Sequence, residues 1–423
     1  MQQQHSGGFA SIHGTNQNNQ YRNRTFNGRF TFDLGRVQLE ARAWDASGNN
    51  QYYNFKFNNS PPYNFLGFDP VSKNFHDQIL ALEARGKITQ WWQTSLTFSH
   101  SQTHFDQVET YQPTHVARPE VDWHNVIAAG QHNRVSFGAR FQNQRLFQYT
   151  GFSTIHQNVA EDYGYVQDEL NYGAHHAVAA VSYLHNGRFG ERFNWNLSYG
   201  YDLFAGTRLI ASAGSAFRAP TLVDLYYPGA SNPNLQPEKA LDYEVAVRQQ
   251  LGAAQDVELR LFRTDVRDLI IFNGTSFKPE NTARARMQGV QLTWRYAGKN
   301  WNAQLRGIYQ NARNRSTHTQ LVRRPRFSVS ARVDRYFKRF NIGAAVYSTG
   351  QRPDVDLLTG ATGPAFADGG YALFDIHAGV KLTQNLELQA HVDNIFNHHY
   401  QTVHGYNQAG AAVYGTLRYT LPL

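Results

Sequence analysis

The chain has 423 residues, 40 Lys and Arg against 32 Asp and Glu, no cysteine, and 14% aromatic residues. The absence of Cys excludes disulfides, thiolate metal sites and Cys nucleophiles, and the aromatic content excludes a disordered chain. No run of about 18 apolar residues occurs, so no helix reads as membrane-spanning; a strand that turns every second residue to lipid stays polar on average and is not excluded.

By length alone the chain makes one very large β domain or about three ordinary ones, at ~150 residues each. Period-2 alternation runs almost from end to end and favours the single domain. Val37, Leu39, Ala41 and Ala43 face one way, with Gln38, Glu40 and Arg42 opposite. Leu80, Leu82, Ala84 and Ile88 repeat the pattern, as do Val135, Phe137, Ala139 and Phe141. Phe193, Trp195, Leu197, Tyr199 and Tyr201 follow, then Leu241, Tyr243, Val245 and Val247. The C-terminal third alternates most cleanly, from Val290, Leu292, Trp294 and Tyr296 through Phe327, Val329, Ala331 and Val333 to Val413, Leu417, Tyr419 and Leu421.

The connections alternate in length. Short turns at 33–36, 297–300 and 338–339 interleave with long polar loops near 49–75, 102–119, 151–162, 222–238, 348–369 and 397–411. Short turns at one rim and long loops at the other are the arrangement of an antiparallel transmembrane β-barrel, here with about nineteen strands, many at or above the ~9–11 residues that cross a bilayer. The net charge of +8 is spread along strands, as at Arg326, Arg332 and Arg335, and forms no dense basic tract. That pattern suits a polar lumen and contact with anionic lipid, and it argues against a nucleic-acid partner.

Two stretches carry more than periodicity. Phe217, Arg218, Ala219 and Pro220 end one alternating segment, and Asn232, Pro233, Asn234, Leu235, Pro237 and Glu238 restart pairing after the loop. Pro220 lacks a ladder donor and fixes its own φ, which stops the strand. Near the C-terminus, Val392-Asp393-Asn394-Ile395-Phe396-Asn397 is followed by Tyr400-Gln401-Thr402-Val403-His404-Gly405-Tyr406. Both stretches resemble the TonB-dependent outer-membrane receptors, and Asn394 and Tyr400 belong to the second motif. The resemblance covers most of the chain and is strongest from about Gly200 to Leu423.

The ending Tyr400 to Gly410 is similar to the cobalamin (corrinoid) transporters of that family. The resemblance implies a Gram-negative outer-membrane receptor, not an enzyme, that captures a large scarce ligand with external loops. Cobalamin is the first candidate, a plugless structural or diffusion pore the second, and a siderophore or haem receptor the third. The region 221–231 contains no His of the kind haem receptors of the family carry there. Trp44, Asp45, Tyr52 and Tyr53 are the candidate ligand-contacting residues. The positions matching the calcium loops of the cobalamin transporters are Gln17, Asn19 and Asp45; only Asp45 is acidic, so at most weak Ca²⁺ is expected and no other cofactor.

The adjacent pairs His175-His176 and His398-His399 point to opposite faces of a strand, so no metal site is expected from them. Met1 opens directly into strand-like sequence without the basic and apolar regions of a signal peptide. Residues 1–423 therefore read as a barrel of about nineteen strands from an expected twenty-two, with signal peptide, TonB box and plug absent. TonB is then a partner only where that N-terminal region is supplied, alongside lipid and lipopolysaccharide.

Overall fold

The computed structural model describes residues 2–12, 15, 18–57, 65–109, 112–151, 153–204, 206–227, 229–273, 276, 278–356 and 366–420. Gln17 and Leu421 lie outside these. Among the described residues, twenty strands belong to one large sheet and two short ones to a separate ribbon. The chain divides into two compact units, the first holding 1–199, 214–240 and 268–281, the second the remainder.

In the first unit, nine strands each pair antiparallel with the next: β1 (Gln2–Phe9), β2 (Asn19–Asp33), β3 (Val37–Phe57), β4 (Phe65–Lys87), β5 (Trp92–Gln107), β6 (Thr114–Ala129), β7 (Asn133–Tyr149), β8 (Thr154–Tyr172) and β9 (His175–Asn186). There follow β10 (Gly190–Phe204), β11 (Thr207–Arg218), the short helix α1 (Leu222–Tyr226), β12 (Glu238–Leu251) and β13 (Gln255–Asn273). The second unit carries β14 (Lys278–Ala297) from Thr282 onward, β15 (Trp301–Asn314), β16 (Phe327–Tyr336), β17 (Phe340–Thr349), β18 (Tyr371–Lys381) and β19 (Leu386–Asp393). The ribbon strands β20 (Gln401–Val403) and β21 (Tyr406–Asn407) come next, and β22 (Ala412–Tyr419) then pairs with β19. Sequence alternation undercounts the large sheet by one. The strand β1, Gln-Gln-Gln-His-Ser-Gly-Gly-Phe, has no apolar alternation to count.

Register explains why alternation persists. Phe30, Ala41, Leu82, Phe98, Val121 and Phe141 stand directly opposite one another across β2 to β7 and make one apolar row. In the second unit the row Tyr296, Ala303, Val333, Ala344, Ile376, Val392 and Val413 crosses β14 to β22 in the same way. Phe30 is 65% and Leu82 62% exposed, a cost that only an apolar solvent removes. A one-residue slip would bring every charge onto that face, so the register is strongly specified.

The opposite face pairs its charges along the sheet. Glu40 is 6% exposed and accepts from Arg29 at 2.8 Å and from Arg42, whose other nitrogen reaches Glu83 at 2.6 Å. In the second unit Glu258 holds Arg248 at 2.6 Å and Arg260 at 2.9 Å, and Arg260 continues to Glu244 at 2.5 Å. Paired in this way, the charges tolerate partial burial that isolated ones do not.

A similar cluster fixes one glycine. Asp334 accepts from Arg332 at 2.8 Å and contacts His377 Nε2 at 2.6 Å, and Gly343 lies between them in register. A Cβ on Gly343 would come 2.4 Å from the His377 ring and 2.7 Å from Asp334 Oδ1. Gly343→Ala is expected to displace His377 from Asp334 and to cost about 1–3 kcal/mol through overpacking. Denaturant midpoints in detergent micelles check this. Gly307→Ala, where the nearest atom is 3.7 Å away, is the tolerant control.

The strands outrun the loops that sequence suggested. Residues 49–57 and 65–75 are paired strand in β3 and β4, as are 102–107 in β5 and 114–119 in β6. Their polar composition reads as loop, but cross-strand hydrogen bonding continues past the apolar rows wherever a partner strand is equally long.

Candidate ligand-binding face

The first motif folds a loop back onto the wall. Arg218, at the end of β11, donates to Glu238 at 2.9 Å, and the other oxygen of Glu238 accepts from Ile270 N at 2.8 Å. Glu238 thereby ties together both ends of the 218–238 loop and a third strand. Thr221 caps α1 with a reciprocal capping box to Asp224, which satisfies orphan N–H groups of so short a helix. Leu222 packs on Leu146 and Ile155, with Val116, Val159 and Tyr226 around them. On β7 the apolar row runs through Phe141, so Leu146 lies on the opposite, polar face. The loop therefore sits over the polar side of β6 to β8.

The rest of the motif is structural. Leu235 is 1% exposed, and Pro220 and Pro237 are also buried. Asn232 donates to Pro279 O at 3.1 Å, and its Oδ1 accepts from Asn234 N at 3.0 Å. Arg188 reaches Pro233 O at 2.7 Å and the Tyr226 hydroxyl, while Arg192 lies over the Phe217 ring at 5.4 Å. Ala219 continues the turn between Arg218 and Pro220. Asn281 closes the loop from the far side, donating to Gln236 O at 2.8 Å and Asp268 O at 2.6 Å and accepting from Gln236 N.

The C-terminal motif does equivalent work. Asn394, 4% exposed and at φ 49°, donates to His398 O at 2.9 Å and accepts from His398 N at 2.9 Å. Its own N–H reaches Asp375 at 2.8 Å. The Tyr400 ring sits 4.6 Å from Tyr371. The hairpin of β20 and β21 that follows is held by a charge cluster that sequence reading missed.

Asp354 is fully buried and accepts from Arg323 Nε, Val355 N and His404 N, each at 2.8 Å. Arg352, 5% exposed, donates to Asp368 at 3.4 Å and to Gln401 O at 2.6 Å. His404 Nδ1 lies 3.8 Å from Asp368. Buried charge thus clasps together Arg323, the segments 350–356 and 366–370, and the 394–411 segment. Arg323 and His404 lie 31 and 50 residues from Asp354, so no local pattern announces them.

Burial pushes the Asp368 carboxyl above its ordinary 3.8; Arg352 opposes the shift and the neighbouring Asp354 adds to it. The folded state then holds a proton that the unfolded chain releases, so this group's contribution falls as pH rises from 3.8 to the raised value. Asp368→Asn, which fixes the neutral form, is expected to abolish that dependence. The measurement is exchange protection of the Arg352 and Asp368 amides, which bond each other's carbonyls at 3.2 and 3.0 Å, against pH.

The sequence-derived ligand set does not converge. Trp44 and Tyr52 lie on the polar face of β3, and Asp45 and Tyr53 on the apolar side. Trp44 and Tyr52 are eight residues apart along β3, about 27 Å at ~3.4 Å per residue. Tyr52 alone of the four reaches loop height on the polar face, its hydroxyl bonded to Gln107 at 3.1 Å. Asn19 and Asp45 also stand apart. Asp45 pairs with Phe26, seven residues or about 24 Å down β2 from Asn19, and the two cannot share an ion. Asn19 is engaged with Ser11 and Asp45 with His76 at 2.7 Å.

A large sheet of antiparallel pairs with one apolar, exposed side and one charged side is that of an outer-membrane receptor barrel. The family model for the TonB dependent receptor-like β-barrel matches residues 3–395, and the chain belongs to that family. Among solved structures, the ferric enterobactin receptor PfeA of Pseudomonas aeruginosa is 15% identical with a TM-score of 0.78, covering 98% of this chain and 72% of its own. The ferric-catecholate import receptor Fiu of E. coli K12 is 13% identical, TM-score 0.77, with coverage of 97% and 76%. The iron transporter FrpB of Neisseria meningitidis is 11% identical, TM-score 0.78, with coverage of 99% and 76%. The fold is a receptor barrel of the outer membrane, and the family and fold are those of transport receptors.

Proposed function

We propose that this chain captures a corrinoid of the cobalamin type on its external loops, as the barrel of a TonB-energised uptake receptor. The observation that carries the reading is the cobalamin-like segment Tyr400 to Gly410, which lies in the hairpin clasped by Asp354, Arg352 and His404. A preorganised hairpin presents its side chains without an ordering cost on binding. In this reading the energised step runs through a plug and a TonB-contacting segment. No covalent chemistry is assigned, and no resident ion is needed.

Ferric-catecholate siderophores are the second reading, supported by the names of PfeA and Fiu. Equilibrium binding to the purified chain in detergent separates the two. Saturable cyanocobalamin binding at micromolar concentration or below supports the corrinoid. Saturable ferric enterobactin binding without cobalamin binding assigns the siderophore class instead. Stable conductance in planar bilayers with neither ligand bound reassigns the chain as a diffusion pore.

A further inference from the structure

We propose that His104 of β5 and His115 of β6 form a surface site for a divalent transition-metal cation, flanked by His76 of β4. Register brings them together: His76 is opposite His104, and His104 is opposite His115. Directly opposed residues place their Cβ atoms ~4.5–5.5 Å apart, the spacing at which two imidazoles can share an ion. The His104 and His115 rings have centroids 6.2 Å apart and are tilted 51° to each other. With metal–nitrogen bonds of about 2.0–2.1 Å, imidazoles on a tetrahedral ion have centroids roughly 5 Å apart, so closure needs about 1 Å of ring movement. His104 is exposed and His115 half-buried, so side-chain rotation supplies it.

The site lies on the outward face. Leu96, Phe98 and His104 are separated by even steps on β5, as are Trp123, Val121 and His115 on β6 and Leu82, Leu80 and His76 on β4. His104 is twelve residues above Trp92, which is about 29 Å along the membrane normal at ~3.4 Å per residue and ~45° tilt, just beyond a ~25 Å apolar band. The row is therefore wet, and waters can complete the coordination sphere.

A second observation concerns the flank. His76 Nε2 bonds Asp45 at 2.7 Å, and Gln78 also reaches Asp45 at 3.4 Å. A carboxylate that accepts from one ring nitrogen fixes the tautomer and leaves the other nitrogen as the lone-pair donor. Imidazole nitrogens as donors suit Zn²⁺, Ni²⁺ and Cu²⁺ over Ca²⁺ or Mg²⁺. The row also spans a weak point of the sheet. Between Ala117 and Glu120, β6 has no register partner on β7 at Arg118 and Pro119, and a cation joining β5 to β6 just above this gap clamps the strand that lacks it.

The test uses the untagged full chain in detergent micelles, with Zn²⁺ and Ni²⁺ as probes in calorimetric titration at pH 7.5. His104→Gln and His115→Gln are each expected to lower the affinity of one site at least tenfold, and His76→Gln by a smaller factor. His391→Gln, whose ring stacks on Tyr414 at 4.5 Å, is the control and leaves that site unchanged. Heat-modifiable gel mobility verifies folding of each variant. In the wild type, Zn²⁺ is expected to protect His104 and His115 together from carbethoxylation and to slow amide exchange at 114–117. Unchanged affinity in both central variants, loss in only one of them, or no joint protection overturns the site.

Discussion

Replacing Glu238 with alanine is expected to open the 218–238 loop while leaving the sheet assembled. The substitution strands Arg218 and the Ile270 amide, which bond the carboxylate at 2.9 and 2.8 Å. A charge-assisted hydrogen bond contributes ~1.5–3 kcal/mol, and an unsatisfied buried donor costs ~1–3 kcal/mol. Arg218 is 56% exposed and recovers part of its loss from water, so the expected local destabilisation is about 2–3 kcal/mol. Trypsin reads the result, because Arg218 and Lys239 bracket the loop. Nicking there should accelerate in Glu238→Ala and stay near wild type in Glu238→Gln, which keeps an acceptor for Ile270. Equal protection of the alanine variant would remove Glu238 from this role.

Asp354→Ala is expected to have the larger effect on binding. The carboxylate is fully buried and accepts three bonds, so alanine leaves two backbone donors and a guanidinium without their acceptor. Breaking a buried pair from one side costs ~3–5 kcal/mol, and with Arg323 40% exposed we expect about 3 kcal/mol here. The loss is local. Exchange protection of the His404 and Gly405 amides should fall, ligand affinity with it, and the melting of the sheet should shift little. Retained protection at His404 in this variant would show that the hairpin is held by other contacts.

Much of the fold is legible in the chain because a lipid-facing sheet leaves a simple trace. Rows such as Phe30, Ala41, Leu82, Phe98, Val121 and Phe141 consist of residues each visible in its own strand's alternation. Strand length is not so legible. Beyond the bilayer the wall is polar on both faces, so Asn49 to Phe57 looks like loop and yet pairs residue by residue with 65–74.

Site residues were harder to read, for a related reason. Neighbours in sequence, such as Trp44 and Asp45, project to opposite faces, whereas true neighbours come from register or from loop closure. His104 and His115 are eleven residues apart, and Asp354 and His404 fifty. The Arg218 and Glu238 motif was legible as a signature, but its work is to anchor a loop rather than to touch a ligand.

The long strands have a consequence for how ligand preference can change. In β3 and β4 the backbone amides stay committed to the ladder as far as Phe57 and Phe65, so this part of the entrance offers a visitor side chains and few free peptide groups. An inserted residue there would shift every later side chain to the wrong face. Divergence of this rim is therefore confined to substitution at alternate positions, while changes in length fall to the clasped connections farther along the chain.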